Sequence, residues 1–141
     1  MARVADWQRK LNVYLLSAQS RYKKEGFVWG KFDCCTFAGD WVRIATGQDV
    51  LSEYRGKYST KEQAMSVLQE LDGSLYQALV NRFGEPEHPS KAMRGDIAYR
   101  EAINGLGIYL TSGARMAALF LGEQGFAMPK AKDTHHAFKV R

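Results

Sequence analysis

The segment Trp29-Gly30-Lys31-Phe32-Asp33-Cys34-Cys35-Thr36-Phe37 holds the residues of this chain best placed to do chemistry. Asp33 has the type and position of a helix N-cap, which puts Cys34 in the first turn of the helix it opens. A thiol there meets backbone N–H groups without intrahelical partners and the positive end of the helix dipole. Both favour thiolate, the nucleophilic form of cysteine. Trp29 and Phe32 are candidates for the wall of a binding cleft, with Asp33 as the cap beside it. The cysteines equally fit plain packing, because cysteine is among the most often buried residue types and the helix is apolar. As sequence neighbours they are not expected to bridge each other, since the ring would distort the intervening peptide. With two cysteines in all, the chain is no disulfide scaffold, and four-cysteine zinc or iron–sulfur sites are excluded.

Three histidines complete the inventory. His88 sits in Glu85-Pro86-Glu87-His88-Pro89 and reads as an exposed loop residue. His135 and His136 stand at the entry to the last strand, where Asp133-Thr134-His135-His136 invites a metal-site reading. Adjacent strand residues point to opposite faces and do not share one ion, so neither a metal nor a cofactor is expected.

These groups need elements to position them. Asp6 is placed to cap a helix whose Trp7, Leu11, Tyr14, Leu15 and Ala18 form one apolar stripe and which ends before Gly26. The Asp33 helix spans 34–46, with Phe37, Trp41, Ile44 and Ala45 on one face and Gly47 as its C-terminal glycine. Residues 48–58 read as a loop. Thr60 to Gln63 and Ser74 to Gln77 have capping-box spacing and open two further helices, through Met65, Leu68 and Leu71, and through Tyr76, Leu79, Val80 and Phe83. After the proline-rich break the period changes. Residues 96–99, 106–111, 114–121 and 137–140 read as short strands, with turns at Asn104-Gly105, Ser112-Gly113 and 122–125. Gly95 and Gly107 read as backbone devices for a tight turn and close strand packing. Trp7, Trp29 and Trp41 also suit a core or interface role, and Met116, Leu119, Phe120 and Leu121 suit either a buried strand or, if exposed, an assembly surface. Helices first and strands second predict an α+β fold, a helical N-terminal half packed on a small C-terminal antiparallel sheet or partial barrel.

Composition sets the outer bounds. The chain has 141 residues and a mass of 15.9 kDa, enough for one domain spanning 1–141. The helix within 1–25 either docks on that domain or reaches to a partner. Hydrophobic residues are 45% and charged residues 25%, ordinary globular values. No apolar run approaches the roughly 20 residues of a membrane span, and MARVADWQRKLN has no secretory-signal pattern. The net charge of +5 permits an acidic partner, anionic lipid or nucleic acid. It is spread along the sequence, with Arg21, Lys23 and Lys24 as its one local cluster, and no Lys/Arg stripe interleaved with aromatics points to nucleic acid. The Lys23-Lys24 pair reads as a solvated helix end.

Three blocks in order carry a resemblance. The helix-opening Asp33-Cys34 is similar to that of the NlpC-type cysteine peptidases, a papain-like superfamily acting on bacterial cell-wall peptide stems. Arg94-Gly95-Asp96-Ile97-Ala98-Tyr99 resembles that family's Arg-Gly-Asp-(apolar) strand opening, and Gly105-Leu106-Gly107-Ile108-Tyr109-Leu110 its His-Val-Gly-Ile-Tyr strand. Over about residues 25–141 the chain more closely resembles a small phage and prophage family encoded among tail genes, which keeps the Phe-Asp-Cys-Cys and Arg-Gly-Asp blocks. The resemblance implies an NlpC-like fold with Cys34 at the nucleophile position. It also implies a missing base, because Gly105 stands where active members have His. General-base help is typically worth 10²–10⁴-fold, so turnover is not expected unless His135 or His136, from a neighbouring strand, substitutes. The leading expectation is therefore a virion component of the distal tail or tail tip, made in the host cytoplasm and acting through contacts with other tail proteins or its own symmetry copies. An active peptidase or amidase on peptidoglycan, using Cys34, is the alternative; a nucleic-acid accessory role rests on charge alone.

Overall fold

The computed structural model describes residues 1–130 and 135–141. Four helices precede a sheet. α1 spans Trp7–Glu25, α2 Cys34–Thr46, α3 Lys61–Leu71 and α4 Leu75–Phe83. The α1 stripe buries Leu11, Leu15 and Ala18 against α2. Asp6 precedes α1 as expected but makes no capping bond; its carboxylate is drawn instead to Arg9 at 2.7 Å. On α2, Asp33 and Thr36 exchange side-chain-to-backbone bonds in a full capping box. The buried arc of α2 centres on Phe37, Ala38, Trp41 and Ala45 and takes in Val42, which leaves Ile44 at its edge and 38% exposed rather than in the core. Thr60 caps α3 and Ser74 caps α4 through the backbone N–H of Gln63 and Gln77. The Gln63 side chain reaches back to Ser59, one residue earlier than a capping box requires.

The strands are β1 Ile97–Arg100, β2 Gly105–Tyr109, β3 Ala118–Gly122, β4 Gly125–Ala127 and β5 His135–Phe138. They form one antiparallel sheet in the order β4-β3-β2-β1-β5. The sheet is not closed, and the architecture is the expected α+β, a helical N-terminal half followed by a small antiparallel sheet. The stretch read as a strand over 114–121 begins as a 3-10 turn, Gly113–Arg115, and Met116 adopts φ 51, so pairing starts only at Ala118. β4 is a strand the alternation did not show: Glu123 and Gln124 alone make the turn, and Phe126 faces the core. Leu119, Phe120 and Leu121 are buried strand residues. Gly107 answers to close packing, since a Cβ there would lie 2.5 Å from the Leu119 carbonyl oxygen of the neighbouring strand.

Leu11, Phe37, Trp41, Ile97, Ile108 and Phe138 are the centre of the core between helices and sheet. Burying a side chain of this kind is worth roughly 1.5–3 kcal/mol. Both ends of the chain are tied to one turn. Asp96, 1% exposed, accepts from Arg3 at 2.7 Å, from the backbone N–H of Met93 at 2.8 Å and from that of Val140 at 3.0 Å, with the Lys139 ammonium 3.1 Å away. Arg3 also donates to the carbonyls of Arg94 and Val140. Gly95, at φ 91, turns the chain so that its carbonyl accepts from the Trp41 indole at 2.7 Å. The Arg-Gly-Asp block is thus the joint between N-terminus, α2, sheet and C-terminus. α1 docks on this body: Val4 donates to the Ala45 carbonyl and the Tyr14 hydroxyl to that of Phe37. Among the described residues, no helix is long and apolar enough to cross a membrane.

Candidate functional site

Cys34 is the first residue of α2 and is half-buried. The carboxylate before it is fully engaged. Asp33 accepts from the backbone N–H of Thr36 at 2.9 Å, from that of Gly30 at 2.8 Å and from the Tyr58 hydroxyl at 2.7 Å. Those bonds fasten the 27–32 loop and the chain around Tyr58 to the start of α2. Gly30 is needed there: its φ is 84, and a Cβ would fall 2.1 Å from the Tyr58 carbonyl oxygen. The loop and the α2 N-terminus then border a cavity of about 90 Å³ shared with α3, α4 and the start of β2. Its walls are largely apolar, with Trp29, Leu51, Met65, Leu68 and Leu79 among them. The polar groups are Cys34, Cys35, Tyr54, Tyr58, Arg82 and Asn104.

The two thiols are unequal. The Cys34 thiol is held below the usual thiol range, chiefly because the Cys35 thiol donates to it. The backbone N–H of Leu106 acts the same way, while burial and the Asp33 charge oppose it. Cys35 is pushed well above that range because its proton is the one donated. Burial raises the Tyr54 and Tyr58 phenols too, so both stay protonated and act as donors, Tyr54 to Asp72 and Tyr58 to Asp33. Arg82 is occupied by Asp72 at 3.0 Å and the Val50 carbonyl at 2.8 Å.

The predicted site residues divide. Trp29 and Cys34 line the cavity, and Asp33 is buried behind Cys34 as the helix cap. Phe32 does not wall it; at 2% exposed it belongs to the core, under the Arg21 guanidinium and edge-on to Phe126. None of the described histidines lines the cavity. Leu106, Tyr99 and His136 lie in one cross-strand row, and Gly105, Arg100 and His135 in the next. Alternation sends the two rows to opposite faces. His136 is on the helix side, but two strand spacings, about 10 Å, separate it from Leu106, and it packs on Tyr99 and Tyr76. His135 is buried on the far face against Phe120. Gly105 shares that far-face row. The side chain this turn presents to the cavity is that of Asn104, whose φ of 45 is the left-handed conformation asparagine tolerates. Asn104 also accepts from the Tyr99 hydroxyl at 2.8 Å.

Tyr58 and Asn104 escaped the sequence reading, one inside a segment read as loop and the other read as a turn-former. The arrangement can hold a small apolar group against a thiolate. Among the described residues lining the cavity there is no imidazole or carboxylate to take a proton, and none of the described His, Cys, Asp and Glu residues cluster in threes fit for a metal. A family model described as a domain of unknown function (DUF6950) matches residues 2–140, and the chain belongs to that family; the match takes in α1 as well as the sheet. No curated protein and no solved structure matches the chain.

Proposed function

We propose that this protein is a catalytically degenerate relative of the NlpC-type cysteine peptidases that serves as a structural or assembly component of a phage tail, at its distal end or tip. It acts through contacts with other tail proteins or its own copies, and its place is the virion. The observation that carries the reading is the Cys34 cavity, in which a helix-capped thiol is retained but no described lining side chain can act as its base. The strand position that resembles the family's base is Gly105, and neither His135 nor His136 compensates for it. Without proton transfer, acyl chemistry forfeits a typical factor of 10²–10⁴.

One observation favours the alternative, a cell-wall peptidase or amidase: Cys34 is the first residue of α2, where backbone N–H groups without intrahelical partners favour a thiolate. Two measurements separate the readings. Purified peptidoglycan incubated with the protein should release no stem-peptide fragments, and particles purified from a producing strain should contain the chain. Fragment release that disappears in Cys34→Ala establishes the enzyme, and absence of the chain from particles overturns the tail role.

A further inference from the structure

α1 carries more of the net charge than an even spread along the chain would give it. α1 carries Arg9, Lys10, Arg21, Lys23 and Lys24 against a single acidic residue, Glu25, a surplus of four in a chain of net charge +5. Its inner face is spent on the core. At the middle of its outer face stand Leu16, 70% exposed, and Val13, 56% exposed, one turn apart. Arg9 lies toward one end of this apolar pair and Lys23 and Lys24 toward the other, about 22 Å apart along the axis at 1.5 Å per residue. The Arg94 guanidinium comes alongside from the sheet side, donating to Asn12 at 2.6 Å. Asp6 takes up part of the charge at one end, pairing with Arg9 at 2.7 Å and lying 3.9 Å from Lys10, whereas Glu25 pairs with Arg21 off the stripe and leaves the charge of Lys23 and Lys24 on it.

We infer that the outer face of α1 is a docking surface for an acidic amphipathic helix of a partner protein. Its apolar residues would cover Val13 and Leu16, and its carboxylates would meet Lys23 and Lys24 beyond one end of that pair, Arg9 at the other end being held by Asp6. The pattern selects this occupant. A nucleic-acid surface puts cations where the phosphates pass, whereas here the centre is apolar. A membrane-binding helix needs a broad apolar face with aromatic or long aliphatic anchors, whereas here two side chains are flanked by polar ones. Helix-on-helix packing, with a few apolar side chains at the seam and oppositely charged residues beside them, uses this combination. The inference rests on the assembly reading above only in taking the partner from the same particle.

The test places a benzophenone photo-crosslinking side chain at position 16 of the full-length protein, in cells producing particles, with position 123 on the β3–β4 turn as control. The expected product is a position-16 adduct to a helical segment of a different protein with net negative charge. A synthetic peptide of that segment should bind the purified protein, at least tenfold more weakly in Leu16→Asp and in Lys23→Glu/Lys24→Glu, both exposed sites whose thermal melts should match wild type. Adducts to nucleic acid, lipid or a second copy of this chain, or no adduct specific to position 16, overturn the docking surface. If the chain is then still found in particles, the tail role stands without it.

Discussion

Asp33 and Asp96 are both 1% exposed and both sit in blocks that the sequence marks, yet they are satisfied in opposite ways. Asp33 is held by neutral donors, two backbone N–H groups and a phenol, all within the segment that frames Cys34. Asp96 is held by Arg3, Lys139 and the Val140 N–H from the two ends of the chain and by the nearby N–H of Met93. A carboxylate with neutral donors keeps its negative charge beside the thiol, where it works against ionisation. One with cations around it is neutralised locally and serves to join distant segments. The first shapes a site, the second closes a fold.

Removing each carboxylate sharpens that contrast. Asp96→Ala takes the buried carboxylate from Arg3, which keeps only carbonyl acceptors, and leaves the N–H groups of Met93 and Val140 unpaired. It should cost about 3–5 kcal/mol, the range for breaking a buried ion pair, read as a fall in the denaturant midpoint. Asp33→Ala removes a cap and two further acceptor contacts but no cation partner, and should cost about 2 kcal/mol. A larger loss at Asp33 than at Asp96 would break the comparison. Tyr58→Phe removes one donor of three and should cost about 1 kcal/mol, while loosening the loop that carries Trp29, seen as faster amide exchange over 28–32. The smallest effect is on titration. Cys34 is held low by the Cys35 thiol, so its thiolate forms at lower pH than in an ordinary cysteine. Cys35→Ala removes that donor, and the pH profile of Cys34 alkylation should move to higher pH.

Legibility in the sequence followed the range of the interactions. Local capping was visible at Asp33, Thr60 and Ser74, where one side chain meets a backbone N–H three residues on. Asp6 failed because Arg9 offered its carboxylate a stronger partner. Cys34 was legible from its cap alone. The cavity was not, because its far wall comes from α3 and α4, tens of residues away. Phe32 looked like a cleft aromatic, but the Val28–Phe32 bridge turns it into the core. The face on which Gly105 falls depended on a register that no local pattern discloses, and so did the separation of His136 from the thiol. Asn104 shows the limit: its residue type announced a turn, while its position beside Cys34 followed from how β2 meets α2.

The clasp at Asp96 also says something about topology. Because Arg3 bonds the carbonyl of Val140, the first and last residues of this body emerge at one corner. A short peptide linker would join them without crossing the surface, and new termini opened between the exposed Glu123 and Gln124 would leave every helix intact. In a circularly permuted chain, Arg3 and Val140 would change from a contact between the chain's extremities into an ordinary interior pair. The fold's dependence on that clasp could then be measured apart from its dependence on having ends at all.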